Sequence, residues 1–226
     1  MQLNFLFDKK IDEYEEKNFI IHSGNKNAIE FIKNLNTEDN YGIFFIVGPS
    51  KSGKSYICSI WKNLVRAKKI DENIFDLEYS KFVDEITKII NKKQNYLLED
   101  IDKIIELHET KILYLFNTIT ENKSILLSSS NKDIKNFNLN INDLKSRLLS
   151  IPSIYLNELN KISKKQIIFK LLSDRQMQIP SDVLDFISEK ISNNYEAIFN
   201  FIDNLEKLIE NGDIKKINIT TVKKII

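Results

Sequence analysis

The chain has 226 residues, with 33 Lys plus Arg against 32 Asp plus Glu, and 42% of its residues are apolar. This length predicts one or two domains with a buried core. A formal net charge of +1 excludes the large cationic excess of proteins dedicated to nucleic acids or membrane surfaces. A single cysteine, Cys58, and two distant histidines exclude an internal disulfide and argue against a structural metal. No apolar run reaches the length of a signal peptide or membrane span, so we expect a cytoplasmic protein.

The first predicted elements are a buried strand and a helix. Ile43–Val47 is a continuous apolar run between Gly42 and Gly48, which is typical of a strand in a parallel sheet. Apolar residues then recur at helical spacing, namely Ile57, Ile60, Trp61, Leu64 and Val65. Strand, glycine loop and helix in this order predict the first half of a βαβ unit.

Later runs extend this pattern into an α/β layer. Strand-length runs occupy residues 73–77, 96–98, 124–127 and 153–156, and helical segments separate the first three. They predict a five-stranded parallel sheet in an α/β domain. Ser128–Asn131 follow one run and predict either hydroxyls at the carboxyl edge of the sheet or, more commonly, a plain loop. From about Lys161 onward, three apolar helix stripes predict an all-helical subdomain.

The loop after the first strand fits the phosphate-binding pattern G-x-x-x-x-G-K-[ST] at every fixed position. Its residues are Gly48, Pro49, Ser50, Lys51, Ser52, Gly53, Lys54 and Ser55. Such a loop turns backbone N–H groups towards phosphate oxygens, its lysine reaches the β and γ phosphates, and its last hydroxyl faces Mg²⁺. The pattern therefore predicts ATP or ADP with Mg²⁺, and the alternative is a glycine turn that binds nothing.

Two acidic residues, Glu99 and Asp100, directly follow the apolar residues Leu97 and Leu98. A phosphate-loop protein needs an acid on a neighbouring strand for the metal and a carboxylate that orients the attacking water. We expect Glu99 and Ser55 at the metal and assign both acids to catalysis, although the order of the two leaves open which one faces the metal. The alternative is a solvated strand end.

Arg147 is one of only three arginines, with Arg66 and Arg175. An arginine shortly before the last predicted strand is suited to stabilise the charge of a transferring phosphoryl group on a neighbouring molecule. The alternative is a surface arginine paired with Asp143 at i to i+4.

The whole pattern resembles the nucleotide-binding region of the DnaA branch of the AAA+ ATPases. The landmarks that carry the resemblance run in the family's order from residue 18 to the end: Asn18–Ile21, Gly24–Asn25, the phosphate loop, Leu97–Asp100, Ile125–Ser129, Leu144–Arg147 and Ile179–Leu184. The resemblance implies an AAA+ core over residues 18–158 and a helical lid over residues 159–226. It also implies nucleotide contacts by Tyr56 and by Phe19, Ile20 and Ile21.

Two departures from the initiator make the chain similar to the Hda-type regulators. The sequence given ends after the lid, without the initiator's DNA-binding domain, so we expect no sequence-specific DNA binding. Tyr195 stands where the initiator pattern has a lid arginine, which implies weak intrinsic ATP hydrolysis and a bound ADP. The resemblance implies that Arg147 acts on ATP bound to the initiator DnaA.

Residues 1–17 occupy the position that the clamp-binding peptide and its tether have in that family. The segment begins with Gln2, followed by the apolar residues Leu3, Phe5, Leu6 and Phe7. The glutamine amide can bond backbone at a pocket rim while the apolar side chains fill a groove on the replicase sliding clamp. The charged residues 8–17 predict a tether. The alternative is a short strand packed on the protein's own core.

The sequence leaves two rival functions open. The first is an autonomous AAA+ ATPase, such as a helicase loader that acts on DNA, and the second is an adaptor whose nucleotide is structural. A homodimer is compatible with each of these functions, and no membrane contact is expected.

Overall fold

A parallel sheet forms the centre of the N-terminal part of the molecule. The computed structural model describes residues 21–35, 40–156, 159–214 and 216–226. Within this part of the chain, five strands lie in the spatial order β2-β3-β4-β1-β5. They are β1 (Gly42–Val47), β2 (Lys68–Lys69), β3 (Asn95–Leu98), β4 (Ile125–Ser130) and β5 (Ser153–Tyr155). Each neighbouring pair is parallel, so the predicted α/β class with a five-stranded parallel sheet is confirmed.

Helices cover both faces of the sheet. They are α1 (Lys26–Asn34), α2 (Lys54–Val65), α3 (Tyr79–Ile89), α4 (Glu109–Glu121) and α5 (Asn142–Ser150). Alternate residues of β1 enter two different buried clusters: Phe45 packs with α3 and α4, and Ile46 packs with α1 and α2. A strand buried on both faces needs apolar residues at every position, which explains the continuous run that predicted β1.

The prediction of a strand at residues 73–77 was wrong. Residues 73–77 are not a strand, because a 3₁₀ helix spans Glu72–Asp76 and the edge strand is Lys68–Lys69. The side chain of Asp71 accepts a hydrogen bond from the Asn73 N–H and starts the turn, while Phe75 is fully buried beneath it. An exposed edge strand of two lysines carries no apolar signal.

The three serines after Leu127 belong to the sheet rather than to a loop. Ser128, Ser129 and Ser130 are the C-terminal half of β4 and are fully buried. The Ser128 hydroxyl donates to the Leu98 carbonyl at 2.6 Å, and the Ser129 hydroxyl accepts from the Asp100 N–H at 3.0 Å. Side-chain hydrogen bonds to the end of the neighbouring strand β3 therefore replace apolar packing at the carboxyl edge of this central strand.

The C-terminal part is helical, as the three apolar stripes predicted. Its helices are α6 (Lys161–Asp174), α7 (Ser181–Lys190), α8 (Tyr195–Glu210) and α9 (Ile219–Val222). They enclose a separate buried cluster that includes Ile168, Ile187 and Ile202. In the part of the chain that the structure describes, no helix is both long and apolar enough to cross a membrane.

Candidate nucleotide-binding site

The glycine loop joins β1 to α2 with the geometry that its sequence predicts. Residues 48–53 form the loop, and α2 begins at Lys54. Gly53 lies at φ +92° and is the residue that caps the helix. A methyl group on Gly48 would lie 2.9 Å from Cβ of Leu156 and 3.0 Å from Oγ of Ser52. The loop therefore needs a glycine at position 48 for space and favours one at position 53 for conformation.

The loop contains an unsatisfied buried hydroxyl. Oγ of Ser52 is buried and has no hydrogen-bond partner among the described residues. A buried polar atom without a partner is costly unless a ligand satisfies it. Together with the glycine cradle and the N-terminus of α2, this hydroxyl fits a phosphate ligand.

Lys54 is buried and turned into the loop. Its Nζ donates to the carbonyl oxygens of Gly48 at 2.9 Å and Pro49 at 2.8 Å, and to Oδ1 of Asn131 at 2.8 Å. Burial lowers the pKa of Lys54, while the nearby carboxylates of Asp100 and Asp102 act in the opposite direction. A phosphate would give this partly desolvated ammonium a charged acceptor in place of neutral ones.

Asn131 is a site residue that the sequence did not single out as a ligand. It follows β4 directly, and its N–H donates to Oδ1 of Asp102 at 3.0 Å while its amide oxygen accepts from Lys54. Its position after a strand that ends at the same edge as β1 is the signal that could have identified it, because parallel strands place their carboxyl ends together.

The two predicted acidic residues lie beside the loop but face different cations. Oε2 of Glu99 pairs with Lys69, and Oδ2 of Asp100 lies 2.7 Å from Nζ of Lys103. Both acids and the exposed Ser55 line one small cavity of about 510 Å³. The structure thus brings Ser55 and the acids together, and the choice between Glu99 and Asp100 as metal ligand stays open.

A cleft of about 880 Å³ separates the loop from the helical lid. Its core side consists of residues 50–56, His22, Asn25, Asp100, Lys103 and Asn131. Its lid side includes Ile167 and Leu171 of α6 and Tyr195 and Phe199 of α8. Apolar side chains on one wall and phosphate donors on the other suit a nucleotide, which has an apolar base and a charged tail.

The nucleotide contacts that the sequence predicted outside the phosphate loop are only partly found at the cleft. Tyr56 lines the cleft, whereas Ile21 is half-exposed, and His22 and Asn25 line the cleft in its place. Phe19 and Ile20 lie outside the described residues, as do the peptide residues Gln2, Leu3, Phe5, Leu6 and Phe7.

A second cavity, of about 860 Å³, lies within the lid between residues 174–180 and the end of α8. It is lined by Glu206 and Glu210 and has no phosphate loop. The cleft beside residues 48–55 therefore suits a nucleotide better than this second cavity does. Within the described part of the chain, no group of three or more His, Cys, Asp or Glu side chains is arranged to hold a metal ion.

Arg147 lies on α5 with a partly exposed side chain. Its Nε donates to Oδ1 of Asp143 at 3.1 Å, and its Nη1 donates to Oδ1 of Asn117 at 2.5 Å. The described residues that line the nucleotide cleft do not include Arg147. The predicted pair with Asp143 is therefore present, and the guanidinium is not part of the described lining of the chain's own cleft.

Glu109 holds the start of the helix that carries Arg147. Its carboxylate accepts hydrogen bonds from the N–H groups of Asn140 and Ile141 and from the Asn140 amide. Burial raises the pKa of Glu109, but these hydrogen bonds outweigh burial and hold the pKa below its usual value. The carboxylate thus anchors the two residues that lead into α5.

Comparison with known proteins relates the chain to replication initiators. No protein-family model matches the sequence. The chromosomal replication initiator protein DnaA of Borrelia garinii subsp. bavariensis is 23% identical over 94% of this chain. The match covers 47% of that protein, so the chain spans about half the length of its relative.

Solved structures share the fold. Domain III of the Thermotoga maritima initiation protein DnaA matches with a TM-score of 0.77 at 19% identity, covering 94% of this chain and 95% of that one. The AMPPCP-bound DnaA of Aquifex aeolicus matches with a TM-score of 0.66 at 21% identity, covering 86% and 65%. The chain is therefore related in sequence and fold to the AAA+ region of the bacterial replication initiator DnaA.

Proposed function

We propose that this protein is an Hda-type regulator of replication initiation. It binds adenine nucleotide in the cleft, docks on the sliding clamp through residues 2–7, and stimulates hydrolysis of ATP bound to the initiator DnaA. The observation that carries the proposal is the position of Arg147, whose partly exposed guanidinium lies outside the cleft of its own chain.

Nucleotide binding is the best supported part of this proposal. The unsatisfied Ser52 hydroxyl, the buried Lys54 and the tight Gly48 turn surround a space that suits a diphosphate. Ser55 and one of Glu99 or Asp100 are the residues that would hold Mg²⁺, which neutralises phosphate charge when it is bound. The relative from Aquifex aeolicus was solved with AMPPCP, which favours an adenine nucleotide as the ligand.

An arginine that acts on a second molecule must be accessible and must be held in place. The side chain of Arg147 is 43% exposed and is bonded to Asp143 and Asn117. Leu149, on the same helix, is 60% exposed, and arginine is enriched at protein interfaces relative to the rest of the surface. These features support α5 as the surface that meets the initiator, where a guanidinium can stabilise phosphoryl-transfer charge.

The clamp-binding part rests on the sequence of residues 2–7. Gln2 supplies a polar anchor, and Leu3, Phe5, Leu6 and Phe7 supply apolar ones. A few such anchors carry most of the affinity of a docked peptide. The charged residues 8–17 would let the AAA+ core reach an initiator molecule while the peptide stays on the clamp.

The decisive assay measures ATP hydrolysis by purified initiator in the presence of DNA-loaded clamp and this protein. Arg147→Lys should abolish the stimulation because an ammonium cannot form the planar two-point contact. Arg66→Lys is the matched control, since it makes the same change at an exposed helix end. Full stimulation by the Arg147→Lys protein would refute the role of this residue.

Clamp binding is tested separately by titrating the clamp with the full-length protein. Replacing Leu3 and Phe7 with alanine should lower the affinity at least about 100-fold, because each removes a buried anchor. Replacing Lys9 and Asp12 in the tether is the control and should leave the isotherm unchanged. An isotherm unaltered by the first pair would remove the peptide from the proposal.

The second candidate is an autonomous AAA+ ATPase that acts on DNA. It is favoured by the two carboxylates beside Ser55, which could serve hydrolysis of the chain's own ATP. This function predicts fast intrinsic turnover and salt-dependent binding to single-stranded DNA. Tightly held ADP with negligible turnover in the purified protein would instead support the regulator. A gel-filtration profile with and without ADP tests for a homodimer.

A further inference from the structure

The cationic side chains on the lid side of the cleft are already paired. Arg175 donates from Nε to Glu206 and from Nη2 to Asp203, each at 2.9 Å. Lys170 lies 2.8 Å from Oδ2 of Asp174. A phosphate could attract either cation only at the expense of these lid contacts. The lid therefore offers no readily available positive charge from the described residues that line this wall.

A neutral pair, Tyr195 and His22, instead connects the lid to the core. The Tyr195 hydroxyl lies 2.9 Å from Nε2 of His22, and both side chains are buried and line the cleft. The N–H of Gly24 donates to Nδ1 of His22 at 3.1 Å. Because Nδ1 accepts this bond, the proton of the neutral ring is on Nε2, and Nε2 donates to the tyrosine oxygen.

This arrangement leaves the hydroxyl hydrogen of Tyr195 unused. The hydroxyl oxygen accepts from His22, and no acceptor for its hydrogen is present among the described residues. Burial raises the pKa of Tyr195 to about 12 and lowers the pKa of His22. Both groups therefore stay neutral at physiological pH, and the tyrosine keeps its proton.

The face of α8 that carries Tyr195 lies against the phosphate loop. Phe199 is one helical turn further on, and Nζ of Lys51 lies 5.6 Å from the centre of its ring. Lys51 also donates to Oδ1 of Asn200 at 3.3 Å. Residues at i and i+4 share a helix face, and both Tyr195 and Phe199 line the cleft, so Tyr195 lies on the face of α8 that approaches the phosphate loop through Phe199.

We propose that Tyr195 donates its free hydroxyl hydrogen to a phosphate oxygen of the bound nucleotide and that His22 holds the hydroxyl in position. Tyr195 is then a binding residue and His22 a positioning residue. The inference rests on the nucleotide binding of the proposed function. It deepens that function, because the lid of this chain contacts the nucleotide through a neutral donor. A neutral donor gains less than a cation from an added negative charge, so this contact favours ATP over ADP only weakly.

The test measures ADP affinity by calorimetry for the full-length protein and its Tyr195→Phe variant. This change keeps the ring and removes only the hydroxyl, and the dissociation constant should rise about tenfold. Tyr155→Phe is the matched control, since that hydroxyl is exposed and bonds to Asp133 outside the cleft. Its affinity for ADP should be unchanged.

The positioning role of His22 is tested by non-additivity. His22→Gln should also weaken ADP binding, but in the Tyr195→Phe background it should have no further effect. The ³¹P spectrum of bound ADP should shift in the Tyr195→Phe protein, because a phosphate oxygen loses a hydrogen-bond donor. An unchanged dissociation constant and spectrum would overturn this inference alone, whereas failure of the unaltered protein to bind ADP would overturn the proposed nucleotide site.

Discussion

Nζ of Lys54 lies 2.8 Å from Oδ1 of Asn131, so a side-chain hydrogen bond joins the phosphate loop to the residue after β4. The Asn131 N–H in turn donates to Asp102, on the turn after β3. The ends of three strands thus converge on one ammonium group. An anion that enters the loop competes with Asn131 and with two carbonyl oxygens for this ammonium.

Removing the ammonium group of Lys54 should strongly weaken nucleotide binding. Lys54→Gln replaces a buried cation by a neutral amide, and we expect ADP to bind about 100-fold more weakly. Lys62→Gln is the control, because this lysine lies in the last turn of α2 and does not line the cleft. Titration with a fluorescent ADP derivative gives both affinities. Equal losses in the two variants would contradict the assignment of Lys54 to the phosphates.

Adding one methyl group to the phosphate loop should destabilise the core. In Gly48→Ala the new Cβ would meet Cβ of Leu156 at 2.9 Å and Oγ of Ser52 at 3.0 Å. The Leu156 N–H donates to the Val47 carbonyl at 2.8 Å. This bond holds the backbone of Leu156 in place, so its side chain cannot easily move away from the added methyl group. We expect a loss of about 1–3 kcal/mol in the free energy of unfolding. Urea denaturation measures it, with Ser50→Ala on the exposed part of the loop as a control that should be close to neutral.

Glu109 should stabilise the fold in a pH-dependent way. Its folded pKa is lowered, so its contribution is complete above the unfolded pKa, about 4.5, and is lost as pH falls through the folded value. Glu109→Ala should cost about 1–2 kcal/mol at pH 7, where two backbone donors lose their acceptor. Urea unfolding at pH 7 and pH 4 should show a smaller difference from the unaltered protein at pH 4.

The control for this experiment is Glu121→Ala, which changes an exposed carboxylate at the end of the helix that begins with Glu109. It should leave the free energy of unfolding within about 0.5 kcal/mol at both pH values. A comparable loss in the control would mean that helix content, rather than the bonds of Glu109 to the residues before α5, accounts for the effect.

His22 should make the fold sensitive to mild acid. Burial lowers its pKa in the folded protein, so the unfolded chain takes up the proton first as pH falls below about 6.5. The stabilisation is therefore present above that pH and declines below it. Thermal midpoints at pH 7.5 and pH 5.5 should differ less in His22→Gln than in the unaltered protein. His108→Gln removes the other histidine and should preserve the decline.

Those features of the fold that depend on local patterns were predictable from the sequence. The run Ile43–Val47 identified β1 because burial on both faces requires an uninterrupted apolar segment. The phosphate loop was recognisable because its function fixes residue types at fixed spacing. The two-lysine edge strand carried no such pattern, since an exposed edge places no demand on its side chains.

The parts of the site that the sequence missed depend on contacts between distant residues. Asn131 meets Lys54 across 77 positions, and His22 meets Tyr195 across 173 positions. Asn131 and His22 are unremarkable in their local segments. Their roles follow from which strand ends and helix ends the topology brings together, and no short window of sequence contains that information.

The strand order has a consequence for the order of events during synthesis. Gly42 of β1 pairs with Ile125 of β4, and Phe45 pairs with Ser153 of β5. The strand that presents the phosphate loop therefore has no hydrogen-bonded neighbour until most of the chain has left the ribosome. Non-local pairing of this kind is slow because loop closure precedes any gain from contact. The phosphate loop consequently gains its supporting sheet late in biogenesis, and a nascent chain that stalls before β4 would carry the complete loop sequence without that support.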